Sequence, residues 1–183
     1  MDKILIETPQ CIIRFLEESD YERFVAGYQQ CLPALNRFDE GRIDTAFMTR
    51  KWYSDLLLRR KSEAECDYSY MFNVFSKDNS SSIGYCDITT LFREDLQLAK
   101  IGYTVFNNYW RRGIGTEIVG AICSIGFHIL KFHRLEAHIN LDNPASKAVV
   151  RKNAFQFEGI RKQFILENGV WTDNEIYYKL ADV

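Results

Sequence analysis

The chain has 183 residues, of which 46% are hydrophobic, 14% aromatic and 26% charged, and its formal net charge is −2 at pH 7. This composition is typical of one globular domain over residues 1–183, argues against disorder and gives no support to binding of nucleic acid or an anionic membrane. No apolar run reaches the roughly 18 residues of a transmembrane helix, and the N-terminus lacks signal-peptide features, so we expect a cytoplasmic protein.

The hydrophobic periodicity predicts an α+β domain with a mixed, largely antiparallel sheet. Ser19 and Glu22 have capping-box spacing for the first helix, and Phe47, Trp52, Leu56 and Leu57 form the apolar face predicted for the second. The predicted elements are strand 11–15, helix 20–32, loop 35–41, helix 45–63, strands 70–75, 82–92 and 97–106, a helix from 114 to 130, strand 134–139, helix 144–153, and a closing hairpin of strands 155–166 and 170–180.

Residues 110–117, Trp-Arg-Arg-Gly-Ile-Gly-Thr-Glu, have the composition of a phosphate-binding turn. They lie where a strand passes into a long helix, whose first N–H groups lack intrahelical acceptors and whose dipole is positive. Gly113 and Gly115 open the backbone to a diphosphate, and Arg111 and Arg112 add positive charge. The segment matches neither a P-loop nor the dinucleotide-binding fingerprint, and taken alone it could equally be a tight strand-to-helix turn.

A second candidate lies within residues 140–157, NLDNPASKAVVRKNAFQF. Asn143 and Ser146 are three residues apart at the start of a predicted helix, so their side chains share one face. For each residue alone the simpler interpretation is structural. Asn143 would be the N-cap before Pro144, and Ser146 a solvated first-turn residue.

Together the two segments resemble the GNAT superfamily of acyl-CoA-dependent N-acetyltransferases, and most closely its RimJ/RimL-like branch of ribosomal-protein N-terminal acetyltransferases. The resemblance covers nearly the whole chain and implies the GNAT fold, a mostly antiparallel sheet flanked by helices. Its supporting segments are residues 8–14, Ser19-Asp20, 83–85, 101–103, 109–117 and 169–173.

The resemblance implies acetyl-CoA as co-substrate and no metal. The implied coenzyme-binding residues are strand backbone that pairs with the pantetheine arm, loop N–H groups that hold the diphosphate, and two helix residues near the pantetheine and the acetyl sulfur. They are Tyr103, Thr104 and Val105; Arg111, Arg112, Gly113, Ile114, Gly115 and Thr116; and Asn143 and Ser146, respectively.

Acetyl transfer requires a neutral amine, an N–H group for the developing oxyanion and a proton donor for the departing thiolate. The Val105 N–H is our candidate for the oxyanion contact. Many family members use a tyrosine as the acid, and its position falls at Val150. Ser146 is therefore the implied replacement, acting by hydrogen bonding or through water.

The general base is less well defined. The family's glutamate position corresponds to Ile165, and Glu167 lies two residues further on the same strand face. Asp87 is a candidate because burial in an apolar strand raises the pKa of a carboxyl group, and Asp173 is another, with bracing of the hairpin as its structural alternative. A water chain, or an amine of low pKa, would also serve. An α-amino group has a pKa of about 7.7–8.0 against about 10.4 for lysine, which favours N-terminal amines.

The acceptor stays open between a protein N-terminus, of ribosomal type, and a small amine such as a polyamine, an aminoglycoside or an amino acid. A non-catalytic acyl-CoA sensor is the alternative from another class. Phe38, Asp39 and Glu40 could face the acceptor, and Lys100 stands where the family often has a carboxylate. Dimers are common in the superfamily, but no pattern locates a homodimer interface.

No function is predicted for the histidines and cysteines. His128, His133 and His138 recur at intervals of five, which is not a same-face spacing, so no metal site is predicted. The five cysteines are scattered without Cys-x-x-Cys spacing and fit reduced thiols. Cys86 and Cys123 are expected in the core.

Overall fold

The structure is a computed structural model that describes residues 4–78 and 80–182. Within these residues the strands are Leu5–Glu7 (β1), Cys11–Arg14 (β2), Ser69–Ser76 (β3), Ser82–Phe92 (β4), Leu98–Val105 (β5), Arg134–Asn140 (β6), Gln156–Glu167 (β7) and Val170–Leu180 (β8). The α-helices are Tyr21–Gln29 (α1), Arg50–Glu65 (α2), Ile114–Ser124 (α3) and Pro144–Lys152 (α4). A π-helical turn over Ile125–Ile129 continues α3.

The described strands form one sheet in the order β1-β2-β3-β4-β5-β6-β8-β7. Every neighbouring pair is antiparallel except β5 and β6. The predicted class, a mixed and mostly antiparallel sheet flanked by helices, is therefore confirmed. The predicted meander is β3-β4-β5, and the closing hairpin is β7-β8.

The parallel pair is short, and this opens the sheet. β5 and β6 are paired only from Leu98 and Arg134 to Lys100 and Glu136. Beyond Lys100, β5 continues to Val105 and β6 continues to Asn140 without pairing to each other. A wedge-shaped split, open towards the carboxyl ends of both strands, therefore lies in the middle of the sheet.

The two faces of the sheet carry different helices. Alternate residues of β5 point to opposite faces. Tyr103 and Val105 face α3, because a Cβ at Gly115 would lie 3.8 Å from both side chains. Phe106, just past β5, packs on Tyr28 of α1 with ring centroids 4.8 Å apart. Helices α3 and α4 thus cover one face, and α1 and α2 cover part of the other, which we call the acceptor face.

The start of the first helix differs from the prediction. The capping box expected at Ser19 and Glu22 is wrong, because a 3-10 turn over Glu18–Asp20 precedes α1. The Asp20 carboxylate instead accepts the backbone N–H of Glu17 at 2.8 Å. The helix also ends at Gln29 rather than at 32, since the backbone N–H and carbonyl of Leu32 are hydrogen-bonded to the side chain of Asn107, which follows β5.

The second helix begins later than predicted. It starts at Arg50 because the Thr49 hydroxyl accepts the Trp52 N–H at 3.2 Å and acts as the N-cap. Phe47, expected on the buried face, lies in the preceding turn and is 52% exposed. A β1 strand, which the sequence pattern missed, pairs with β2 at the sheet edge.

A buried ion pair fixes β2 to α1. Arg14 donates to the two oxygens of Asp20 at 2.7 and 2.9 Å, and Arg23 donates to the same carboxylate. Asp20 is fully buried. Burial alone raises the pKa of Asp20, but the hydrogen bonds from Arg14 and the Glu17 N–H outweigh it and hold the pKa below its ordinary value.

We predict that Asp20→Ala lowers the free energy of unfolding by about 3–5 kcal/mol, because it leaves Arg14 buried without its counter-ion. Urea denaturation at pH 7 measures the loss. Asp55→Ala, which removes an exposed partner of Lys51, is the control and should cost less than about 1 kcal/mol. Because the folded-state pKa of Asp20 is lowered, its contribution is complete above the unfolded pKa of about 3.9 and is lost as the pH falls through the folded pKa. Equal losses for the two variants would contradict the assignment.

Candidate active site

The backbone of β5 presents hydrogen-bonding groups to the split. The Phe106 N–H donates to the Ile83 carbonyl at 2.9 Å, which fixes the alternation of the β4-β5 ladder. By that alternation the N–H groups of Tyr103 and Val105 point away from β4, towards the split. The backbone groups of Thr104 point to β4 instead, so of the three predicted strand residues two face the split.

The carbonyl group of Val105 is held by a side chain. Its carbonyl accepts the indole N–H of Trp110 at 2.6 Å, which holds the end of β5 against the glycine loop. The Val105 N–H donates no hydrogen bond within the described chain. An unpaired donor on rigid backbone, directed into a cleft, is the geometry that stabilises an oxyanion.

The glycine loop leaves most of the N–H groups predicted to hold a diphosphate without an acceptor among the described residues, but the Thr116 N–H donates to the Gly113 carbonyl at 3.0 Å. Gly113 is the N-cap of α3 with φ +82°, and Arg111 also has a left-handed φ of 63°. In the described part of the chain, none of the backbone N–H groups of residues 111–115 donates a hydrogen bond. These donors, at the positive end of α3, fit a diphosphate.

Gln10 holds this loop, and sequence reasoning missed it. Its side-chain amide donates to the Arg112 carbonyl at 3.0 Å and to the Glu117 carboxylate at 2.6 Å. The Gln10 backbone N–H also donates to Glu117 at 3.1 Å. The position is 102 residues away from Arg112 along the chain, and no local pattern could have signalled the contact.

The start of α4 lies beside the cradle. Asn143 is the N-cap, as its structural interpretation predicted, and its side-chain oxygen accepts the Ser146 N–H at 3.1 Å. This leaves the amide NH₂ of Asn143 without a partner among the described residues. The Tyr103 hydroxyl donates to the Ser146 carbonyl at 3.3 Å, and burial raises the pKa of Tyr103 to about 12. The β5 end, α3 start and α4 start thus converge on one groove.

Asp87 lies on the acceptor face of the same region. A Cβ at Gly102, its partner on β5, would collide with the Asp87 carboxylate, so this carboxylate covers the β5 backbone beside the split. Burial raises the pKa of Asp87 above its ordinary value. The hydrogen bond from Thr89 at 2.9 Å and the charge of Lys100 offset this only in part.

A long loop between α1 and α2 borders the acceptor face. The buried Asn107 amide donates to Asp39 at 2.9 Å, and the Tyr85 hydroxyl donates to Glu40 at 3.4 Å. Asp39, Glu40 and Thr104 line a small cavity there, together with Tyr28, Cys31, Gly41, Val105 and Phe106. Phe38 is exposed at the loop tip.

The tip of this loop is bound to the segment that follows β6. Arg37 donates to both oxygens of Asp142, which follows β6, and lies 3.7 Å from Glu167 at the β7-β8 turn. Glu167 also accepts the Asn140 amide at 2.9 Å. The carboxylate of Glu167 is therefore tied to the end of β6, and we call the region around Arg37, Asp142 and Glu167 the mouth of the acceptor face.

Other sequence candidates lie away from the groove. Asp173 accepts from Lys162 and the Gln163 N–H at 2.7 and 2.9 Å, so it braces the hairpin. Val150 is fully buried, and Cys86 and Cys123 are core thiols with pKa values raised by burial. Within residues 4–78 and 80–182 no group of three histidine, cysteine or acidic side chains could hold a metal ion.

Comparison with known proteins decides the family. A model of the acetyltransferase (GNAT) domain matches residues 10–156. This chain is a GNAT acetyltransferase. Among curated proteins it is 30% identical over 164 residues to the probable N-acetyltransferase YjcK of Bacillus subtilis (strain 168), which covers 90% of both chains. It is 20% identical to the [ribosomal protein uS5]-alanine N-acetyltransferase of Escherichia coli (strain K12), over 94% of this chain and 88% of that protein.

Solved structures of RimJ/RimL type share the fold. The ribosomal-protein-S5-alanine acetyltransferase of Vibrio fischeri superposes with a TM-score of 0.79 at 22% identity, over 98% of this chain and 97% of the other. RimL, a ribosomal L7/L12 α-N-protein acetyltransferase solved with coenzyme A, gives a TM-score of 0.72 at 21% identity, over 98% and 99%. The GNAT member described here is thus an acetyl-CoA-dependent N-acetyltransferase, and its free loop and strand N–H groups fit that co-substrate. None of its described helices is long and apolar enough to cross a membrane.

We predict that Gly115→Trp abolishes acetyl-CoA binding. Gly115 faces Tyr103, Val105 and Val149, with contacts of 3.5–3.8 Å for an added Cβ, so an indole there fills the groove. Isothermal titration calorimetry measures the affinity. Gly159→Trp is the matched control, because nothing lies within 4 Å of a Cβ at Gly159 on the hairpin. Retained affinity in Gly115→Trp would place the coenzyme elsewhere.

Proposed function

We propose that this GNAT enzyme acetylates the α-amine of a protein N-terminus, by direct attack within a ternary complex and without a covalent enzyme intermediate. The supporting observation is the pairing of charges on the acceptor face. Asp87 on β4 and Lys100 on β5 lie on that face, and Lys100 pairs with Thr89, two residues along β4 from Asp87. This pair accommodates a single ammonium group at Asp87, whereas Lys100 repels the second charge of a polyamine.

The surroundings of the mouth fit a polypeptide. Three segments that the Arg37 bridge brings together each expose an apolar residue next to it: Phe38, Leu141 and Leu166, at 37%, 40% and 55% exposure. An apolar surface around the polar groups Asp87 and Lys100 suits the first side chains of an extended N-terminus. The ribosomal-protein acetyltransferases with the same fold support this acceptor class.

We assign the following roles to the site. The free N–H groups of residues 111–115 hold the diphosphate, and the Tyr103 and Val105 backbone pairs with the pantetheine arm. The Val105 N–H stabilises the oxyanion, and the Asn143 amide orients the arm. Acetyl-CoA supplies an activated thioester. The Asp87 carboxylate binds the acceptor ammonium, and the Ser146 hydroxyl donates a hydrogen bond towards the departing sulfur.

One observation favours a second candidate, a small amine with one charge. The bridge from Arg37 to Asp142 and Glu167 joins the α1–α2 loop to the segments at the ends of β6 and β7. A small monoamine would pass beneath this bridge, whereas a polypeptide requires it to open. The acceptor assay distinguishes the two.

The test is acetylation of a panel at saturating acetyl-CoA, with thiol release and mass spectrometry as readouts. The panel contains a peptide with a free N-terminus, the same peptide with a blocked N-terminus and an internal lysine, spermidine, an aminoglycoside and free amino acids. We expect acetylation of the free N-terminus alone. A higher kcat/KM for any small amine would replace the proposed acceptor class. Binding of acetyl-CoA without transfer to any amine would favour a sensor.

We predict that Ser146→Ala lowers kcat about tenfold, the value of one hydrogen bond of roughly 1–1.5 kcal/mol, and leaves acetyl-CoA affinity within about twofold. The backbone bonds of Ser146 to Asn143 and Tyr103 do not involve the hydroxyl and persist in the variant. Ser146→Thr keeps a hydroxyl and is the control. Wild-type turnover in Ser146→Ala would remove Ser146 from the mechanism.

A further inference from the structure

A buried acid–imidazole pair stands beside the split and has no part in the roles assigned above. Glu136 and His138 are two apart on β6, so both side chains project from the acceptor face. The His138 Nε2 lies 2.8 Å from the Glu136 carboxylate. The exposed fractions of the two side chains are only 5% and 3%.

Glu136 is fixed as a carboxylate. Burial opposes its ionisation, but hydrogen bonds from His138 and Arg134 and the charge of Arg161 outweigh burial and lower the pKa of Glu136 to about 2. An ionised carboxylate only accepts hydrogen bonds, so the His138 Nε2 carries a hydrogen. In the neutral ring the lone pair is therefore on Nδ1, which has no hydrogen-bond partner among the described residues.

The register places His138 at the split. Lys100 and Glu136 form the last residue pair of the β5-β6 ladder. Two residues further on each strand come Gly102 and His138, on the same face and on opposite sides of the opening. The Asp87 carboxylate covers Gly102. An amine bound at Asp87 is thus flanked by an imidazole on the facing strand.

The hairpin holds the imidazole in place. The β7 ladder shifts register between Arg161 and Ile165, and Gln163 within this bulge has a φ of 46°. The bulge turns Phe164 onto His138, edge to face, with centroids 5.2 Å apart. The ring therefore has Glu136 on one nitrogen and Phe164 on its face, which leaves one nitrogen to act.

We propose that His138, oriented by Glu136, is the general base that takes the proton from the acceptor ammonium, directly or through one water. This inference rests on the proposed acetylation of an amine. The N–H bond of the ammonium breaks and its proton forms a bond to Nδ1, giving an imidazolium that Glu136 stabilises. The nitrogen lone pair forms the C–N bond as the thioester C–S bond breaks. The second amine proton ends on the thiol sulfur, and His138 releases its proton to solvent after the amide has formed.

The test compares two acceptor peptides that differ only in amine pKa. One has alanine at its N-terminus, and the other has trifluoroalanine, whose amine is already neutral at pH 7. We expect His138→Gln to lower kcat/KM for the alanine peptide about 100-fold and for the fluorinated peptide less than threefold. Acetyl-CoA affinity should not change. Imidazole in solution should restore part of the activity of His138→Ala.

Each other outcome either overturns the role of His138 or shows that the proposed acceptor class is wrong. Equal losses with both peptides would make His138 structural, and no loss would exclude it as base. His133→Gln, a change at an exposed histidine just before β6, is the control and should match the wild type. If the wild type acetylates ethylamine but neither peptide, the proposed acceptor class has failed, and ethylamine and trifluoroethylamine serve for the same comparison.

A second measurement uses the wild-type protein and so does not depend on the folding of a His138 variant. In the ¹⁵N spectrum of histidine-labelled wild type, His138 should carry its hydrogen on Nε2, and its Nδ1 signal should shift when a non-reactive acetyl-CoA analogue and an amine are both bound. Hydrogen on Nδ1 in the neutral ring, or an unchanged signal with the amine bound, would overturn the proposal.

Discussion

The site depends on the early end of one strand pairing. In a parallel ladder the backbone N–H and C=O groups on the facing edges of the two strands normally bond to each other along the whole length of the pair. Here the ladder stops at Lys100 and Glu136, so the strands separate while each is still held by its other neighbour. The backbone N–H groups of Tyr103 and Val105 are thereby left unpaired within the described chain at the edge of the split. Unpaired backbone groups inside a sheet cost free energy unless a ligand or water satisfies them. The groove thus gains its binding groups from the sheet itself.

The N-termini of two helices add further hydrogen-bonding groups beside the split. The N-terminus of α3 brings the loop donors, and the N-terminus of α4 brings Asn143 and Ser146, so positive helix ends meet on the same side of the sheet. The opposite face carries the titratable groups, among them Asp87 and the Glu136–His138 pair. The proposed division of the two substrates between the faces rests on the alternation of side chains along β5 and β6.

Local patterns predicted the elements that local interactions create. The β4 and β8 bounds, the cap at Asn143 and the glycine turn at Gly113 follow from short-range propensity, and the structure reproduces them. Contacts between distant segments could not be read in this way. Gln10 on the glycine loop, Asn107 on the α1 end and Arg37 on Asp142 each join residues more than 70 apart.

The same limit explains the misjudged residues. Thr104 and Tyr103 are neighbours in sequence, and only the hydrogen-bond phase of the ladder separates the one that faces β4 from the one that faces the split. Phe47 is apolar enough for a core position, but the cap at Thr49 leaves it outside α2. His138 carried no signal by spacing, because its partner Glu136 and its cover Phe164 belong to a strand face and a bulge.

The bonds of Gln10 to Arg112 and Glu117 connect the edge of the sheet to the glycine loop. A ligand that binds only the native loop adds RT ln(1 + [L]/Kd) to the stability of every part that must be folded for the loop to exist. Through Gln10 that part includes the start of β2, and through the β1-β2 ladder it includes β1, the first of the described strands. For a coenzyme held at this loop, as proposed above, the concentration is therefore linked thermodynamically to the order of the N-terminal edge, far from the reacting atoms.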